Sequence, residues 1–139
     1  MGSDISLGAK IVTSLVIVGG SALALVRLRG RATPAARHVS LAITCLATLL
    51  CIHHQSYDLL FLAAPIVGLA LAADTLPAGS AAPSALLVLL AIPLVNYAAT
   101  DTTLSTFSVT GTAWTAINSI NGAALLAAWL GYVALALVT

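Results

Sequence analysis

Apolar residues gather into five runs along the chain, at about residues 11–26, 39–52 (with an earlier start at Ala35 left open), 59–73, 85–99 and 113–138, and short polar stretches divide them. Runs of this kind are the pattern of membrane-spanning helices. The fold class they predict is all-α: a polytopic integral membrane protein forming one transmembrane helical domain over residues 1–139. It has about five spans, or four if one short run lies in the interface. Several runs hold only about 15 strongly apolar residues, roughly 22 Å of helix against a hydrocarbon core near 30 Å, so their Ser, Thr and Gly flanks must share the crossing. Pro65 and Pro93 fall inside the third and fourth runs, where each removes one helix hydrogen bond and favours a kink.

Composition sharpens this picture. Only 6% of residues are charged, 60% are hydrophobic and the mean hydropathy is +1.10, whereas a soluble domain carries roughly 25% charge. A water-soluble globule is excluded. The net charge of +1 provides no basic field for nucleic acid, so no nucleic-acid partner is expected. Cys45 and Cys51 lie six apart in one apolar run. On a helix they stand about 9 Å apart along the axis and face different directions, which supports neither a mutual disulfide nor a zinc pair.

Where the charges sit sets an expected topology. The connector Arg27 to His38 holds Arg27, Arg29, Arg31 and Arg37, four of the five basic residues, together with Pro34. Such a cluster beside membrane helices stays on the cytoplasmic side. Five spans then place the N-terminus outside and the C-terminus inside, most naturally in a bacterial inner membrane. The charge follows the first run rather than preceding it, unlike a secretory signal peptide, so that run reads as a retained helix. By the same count His53 to Asp58 and the Thr-rich stretch 100–112 face outward, and the turn-forming loop 74–84 faces the cytoplasm.

Polar side chains beside the apolar runs are densest at His53, His54, Gln55, Ser56, Tyr57 and Asp58. If this segment is helical, His54 and Asp58 share a face, as do His53 and Tyr57. The Asp58 carboxylate could then orient His54 and favour its protonation, giving a pair able to hold a phosphate or pass a proton. The alternative is an interfacial turn, with Tyr57 in the aromatic belt and Asp58 capping the third helix. No metal site is expected, because adjacent histidines on a helix diverge by about 100° and no third ligand lies nearby. No cofactor is expected, and no catalytic residue is assigned: the chain has no glycine-rich phosphate loop, no G-x-S-x-G and no H-E-x-x-H. His38, on the cytoplasmic connector, cannot join an outer-face site. In the last run Ala123, Ala127 and Gly131, with Ala124 and Ala128 alongside and Trp129 and Tyr132 nearby, suggest close helix packing. Asn96, Asn118 and Asn121 suggest internal contacts, since an amide in lipid needs a partner.

The stretch His53-His54-Gln55-Ser56-Tyr57-Asp58-Leu59-Leu60, followed by Leu62 and Pro65, and the later Pro93, Asn96 and Tyr97 resemble the later transmembrane part of a known enzyme group. These are the GT-C type, polyprenyl-phosphate-sugar-dependent glycosyltransferases of family eighty-seven. The resemblance covers about residues 39–97. It implies that His53, His54, Tyr57 and Asp58 line an outer-leaflet cavity for a lipid phosphate or sugar. The family's catalytic acid lies in an early extracytoplasmic loop that has no counterpart among the four acidic residues here. An arginine clamp for phosphate is also missing from the outer loops. The resemblance therefore implies a C-terminal piece of that architecture and not an autonomous transferase. Two functions are expected: a non-catalytic subunit packing on a larger membrane protein complex, or a split glycosyltransferase subunit that contributes the lipid-sugar cavity. Expected partners are membrane lipids, other membrane protein subunits and, in the second case, a polyprenyl-phosphate lipid.

Overall fold

The computed structural model describes residues 7–51, 60–72, 82–96, 106 and 111–138. Among them the regular elements are five helices: α1 (Leu7–Leu28), α2 (Pro34–Cys51), α3 (Leu60–Ala72), α4 (Ala82–Asn96) and α5 (Thr112–Val138). Three are long and apolar enough to cross a membrane, namely α1, α2 and the Ser119–Val138 part of α5. The helices α3 and α4 add shorter apolar stretches, Phe61–Leu71 and Pro83–Leu94.

The connection between α1 and α2 is shorter than the charge pattern implies. Gly30 adopts φ +87°, a left-handed conformation that glycine enters without the steric cost a Cβ would bring. The Arg29 and Arg31 amides donate to the carbonyls of Val26 and Leu28 at 3.2 and 3.1 Å, closing the end of α1. Thr33 then opens α2: its Oγ1 accepts from the Ala36 amide at 3.2 Å and its carbonyl from the Arg37 amide at 3.1 Å. Pro34 fills the first helical position, where its missing N–H would have had no partner anyway. Arg37 and His38, assigned to the connector when the second span starts at Val39, lie in the first turns of a helix, close to the alternative start at Ala35, and only residues 29–33 are non-helical. A Thr-Pro start outweighed the charge run.

Helix α2 is central with α5. It packs against α1, α3 and α5, while α5 packs against α1, α2 and α4, and α3 meets α4. The last four helices thus close a ring, and α1 sits outside it in the groove between α2 and α5. Within that ring Val39, Ile43 and Leu46 of α2, Leu62 and Leu69 of α3, Leu90 of α4, and Ala128 and Tyr132 of α5 form the core. Helix α1 joins through a narrow seam, Ile17, Ser21, Ala24 and Leu28, spaced every three or four residues.

The outward faces are as apolar as the core. Leu15, Val16, Leu23 and Val26 on α1, Leu41 on α2, Phe61 and Leu71 on α3, Val88 on α4 and Leu137 on α5 are all exposed. Helices apolar on both faces suit a bilayer and not water. Hydroxyls along the sides of the helices find partners locally. Ser40, Thr44 and Thr48 each donate to the carbonyl four residues back, at 2.8 to 2.9 Å, and Ser119 does the same to Thr115 at 2.8 Å. These groups can face lipid without a neighbour.

Replacing the cap, Thr33→Ala, is expected to lower the unfolding free energy in mixed micelles by about 1 kcal/mol. Thr44→Ala, which removes only a bond within its own helix, should change it by less than about 0.5 kcal/mol. Equal losses would mean that the cap does not define the start of α2.

Candidate functional site: a buried polar layer

Two side chains of α5 present polar tips to the other helices. Trp129 is buried, and an indole N–H enclosed in apolar surroundings needs an acceptor. It donates to Ser21 Oγ of α1 at 2.9 Å. The preceding Gly20 makes room: a Cβ there would stand 3.0 Å from two carbons of the indole ring.

Three residues further on, Tyr132 is fully buried on a neighbouring face of α5. Its hydroxyl lies 3.3 Å from His38 Nε2 of α2 and donates to the Pro65 carbonyl of α3, also at 3.3 Å. The two rings meet edge to face, with centroids 5.5 Å apart and planes at 71°. One phenol therefore ties three helices together. Pro65 is buried as well, and lacking an N–H it leaves the Phe61 carbonyl without its usual helical donor.

The proton arrangement follows from counting donors. Tyr132 has one hydroxyl proton, directed to the Pro65 carbonyl, so the contact with His38 requires the proton on Nε2. His38 Nδ1 then carries a lone pair, and it is the buried side-chain atom without a hydrogen-bond partner among the described residues. Gly68 of α3 explains how it is tolerated. A Cβ on Gly68 would overlap the His38 ring at Nδ1 and Cε1, so the glycine hydrogen in that position points at the lone pair as a weak Cα–H donor. The opposite tautomer would drive an N–H into the α3 backbone.

These contacts share one depth in the bundle. His38 lies four residues in from Pro34, Gly68 four in from Ala72 and Leu86 four in from Ala82, while Tyr132 lies six from Val138 and Ser21 seven from Leu28. At 1.5 Å per residue they sit roughly 6–10 Å inside the end that carries the arginines. Gly131 belongs to the same layer, since a Cβ there would come within 2.8 Å of Leu86 Cδ2 of α4. The pairings fix the helix directions: α2 and α4 run against α5, and α1 runs with it.

His53, His54, Tyr57 and Asp58 lie outside the described residues, as do the side chains of Asn96 and Asn118. Asn121 is partly buried. Ala123 and Ala127 of the small-residue stripe are exposed, whereas Ala124 and Ala128 beside them are buried. Burying the large rings of Trp129 and Tyr132 rotated α5 to that face. Cys45 is buried and Cys51 partly so, both as free thiols. No group of three metal-ligating side chains occurs among the described residues. His38, set aside in the sequence as a connector residue, is the member of the layer that reasoning missed. Its signal was helical phase: Ala35, His38, Ala42, Cys45 and Leu49 repeat at three- and four-residue intervals, and all are buried. No protein-family model, curated protein or solved structure matches this chain.

Gly68→Ala is expected to cost about 1–3 kcal/mol of stability by forcing the new methyl into the imidazole. Combined with His38→Ala, the loss should fall short of the sum of the two single losses by at least about 1 kcal/mol, because the clash is gone. Tyr132→Phe should cost about 1 kcal/mol, the scale of interhelical hydrogen bonds in membranes. Unfolding titrations of the four variants in mixed micelles check all three values, and strict additivity of Gly68→Ala with His38→Ala would contradict the packing.

Proposed function

We propose that this protein is a non-catalytic integral membrane subunit that packs on a larger membrane protein complex. The observation that carries this reading is the use made of the interior polar groups. Ser21, His38, Trp129 and Tyr132 bond across helices and, with the Pro65 carbonyl, link α1, α2, α3 and α5. These are the contacts of a bundle built to hold one shape. Helix α1, held by a single seam, turns most of its apolar surface outward, and that flank is available to a neighbouring subunit or to lipid.

The arginines of the α1–α2 turn support five spans with that turn in the cytoplasm, the N-terminus outside and the C-terminus inside. A bacterial inner membrane suits this arrangement. The second reading, a split glycosyltransferase subunit, rests on the His53 to Asp58 segment and its resemblance to the GT-C enzymes.

Purification in mild detergent with a mass-spectrometric inventory tests the function. Stoichiometric membrane subunits should accompany the chain, and the isolated chain should transfer no sugar from a polyprenyl-phosphate donor. Turnover by the isolated chain would refute the proposal. Turnover that needs a partner and falls with His54→Ala would replace it with the split-enzyme reading. For topology, single-cysteine variants Ala32→Cys and Ser56→Cys in a background lacking Cys45 and Cys51 should differ. An impermeant reagent added to intact cells should label position 56 and spare position 32, and the reverse pattern would invert the orientation.

A further inference from the structure

We propose that the α1–α2 turn is a binding site for the phosphate of an anionic phospholipid headgroup. Arg27 stands in the last turn of α1, Arg29 and Arg31 in the connection, and Arg37 in the first turn of α2. All four are exposed, and among the described residues no guanidinium of the four has a hydrogen-bond or ion-pair partner. The segment 27–37 contains no acidic residue. The backbone amides of Arg29, Arg31 and Arg37 are engaged in closing α1 and starting α2. The main chain is therefore pinned, with Gly30 at φ +87°, and the four side chains project from a fixed turn.

Their level along the bundle identifies the ligand. Leu23 and Val26 of α1 are 64% and 66% exposed and Leu41 of α2 is 50% exposed, so outward apolar surface runs up to the turn on both helices and stops where the arginines begin. In a bilayer that boundary is the glycerol and phosphate layer. A guanidinium there meets phosphate oxygens in the planar, two-pronged geometry it binds best. The exposed flank of α1 gives the acyl chains a surface to lie along. A soluble phosphate would gain only the first of these contacts. An anionic headgroup is favoured over a zwitterionic one, whose own ammonium competes with the arginines. This holds whichever leaflet the turn occupies, so it stands apart from the proposed topology. Each basic residue near a membrane surface contributes about 1 kcal/mol, which is about fivefold in affinity.

Native mass spectrometry of the full chain from micelles containing equimolar phosphatidylglycerol and phosphatidylcholine tests the site. The expected result is retention of phosphatidylglycerol in at least a hundredfold preference, since four arginines at about fivefold each would give several hundredfold. It should fall about 25-fold in Arg29→Gln/Arg31→Gln, on the fivefold-per-residue scale, and persist in Arg29→Lys/Arg31→Lys. Lys10→Gln, at the opposite end of α1, should leave it unchanged. Circular dichroism verifies that each variant keeps its helices, and for the wild type the preference should weaken in 0.5 M salt. Equal retention of the two lipids, a preference that survives substitution of all four arginines by Gln, or displacement of the lipid by millimolar inorganic phosphate would each overturn the proposal.

Discussion

A phenol hydroxyl enclosed in an apolar bundle cannot turn to water, and the positions of three helices follow from what Tyr132 meets instead. Its oxygen needs a donor and its proton an acceptor; His38 supplies one and the Pro65 carbonyl the other. At 3.3 Å both contacts are longer than the usual range and therefore weak, and even well-formed interhelical bonds in membranes contribute only about 0.6 to 2 kcal/mol each. Packing contributes more energy. What the hydrogen bonds add is selection: a rotation of α2 or a slide of α3 would leave two or three buried polar atoms bare, at about 1–3 kcal/mol apiece. Alternative packings of similar apolar surfaces are excluded by that penalty.

The glycines complete the same constraint from the backbone side. Gly68 against His38, Gly20 against Trp129 and Gly131 against Leu86 each let a neighbouring side chain reach the helix backbone. A ring of helices in lipid gains little from hiding apolar area, since the lipid tails are equally apolar, so close approach and good fit have to supply the attraction. Large rings seated on glycines provide it at one depth, and the rest of the bundle is ordinary Leu, Ile, Val and Ala contact.

Much of this architecture was legible in the sequence, because charge-free apolar runs report helices in lipid directly. The five runs correspond to the five helices described. Where reading failed, two local signals competed. Arginines in residues 27–37 pointed to a connector, while Thr33-Pro34 marked a helix start, and the short-range chemistry of the cap prevailed. The same error hid His38, because a histidine beside arginines looks solvated until α2 is extended back through it. For α5 the spacing of small residues was real, but two adjacent stripes share it. Only the side on which Trp129 and Tyr132 project decides between them, and that depends on partners 108 and 94 residues away in sequence. The first proposed site, at His53 to Asp58, was read from spacing within a segment outside the described residues.

The position of α5 between the first two helices and α4 also bears on how the chain is made. Its contact with Ser21 closes across 108 residues. At a synthesis rate of about 5–20 residues per second, Trp129 emerges from the ribosome roughly 5 to 20 s after its acceptor. Once α2 has followed, α1 and α2 pair without the helix that packs against both of them, and the Ser21 hydroxyl lacks its indole partner. The nascent hairpin is in this sense a waiting structure. Its lifetime is set by translation, and the groove between α1 and α2 closes only once residue 129 has been made.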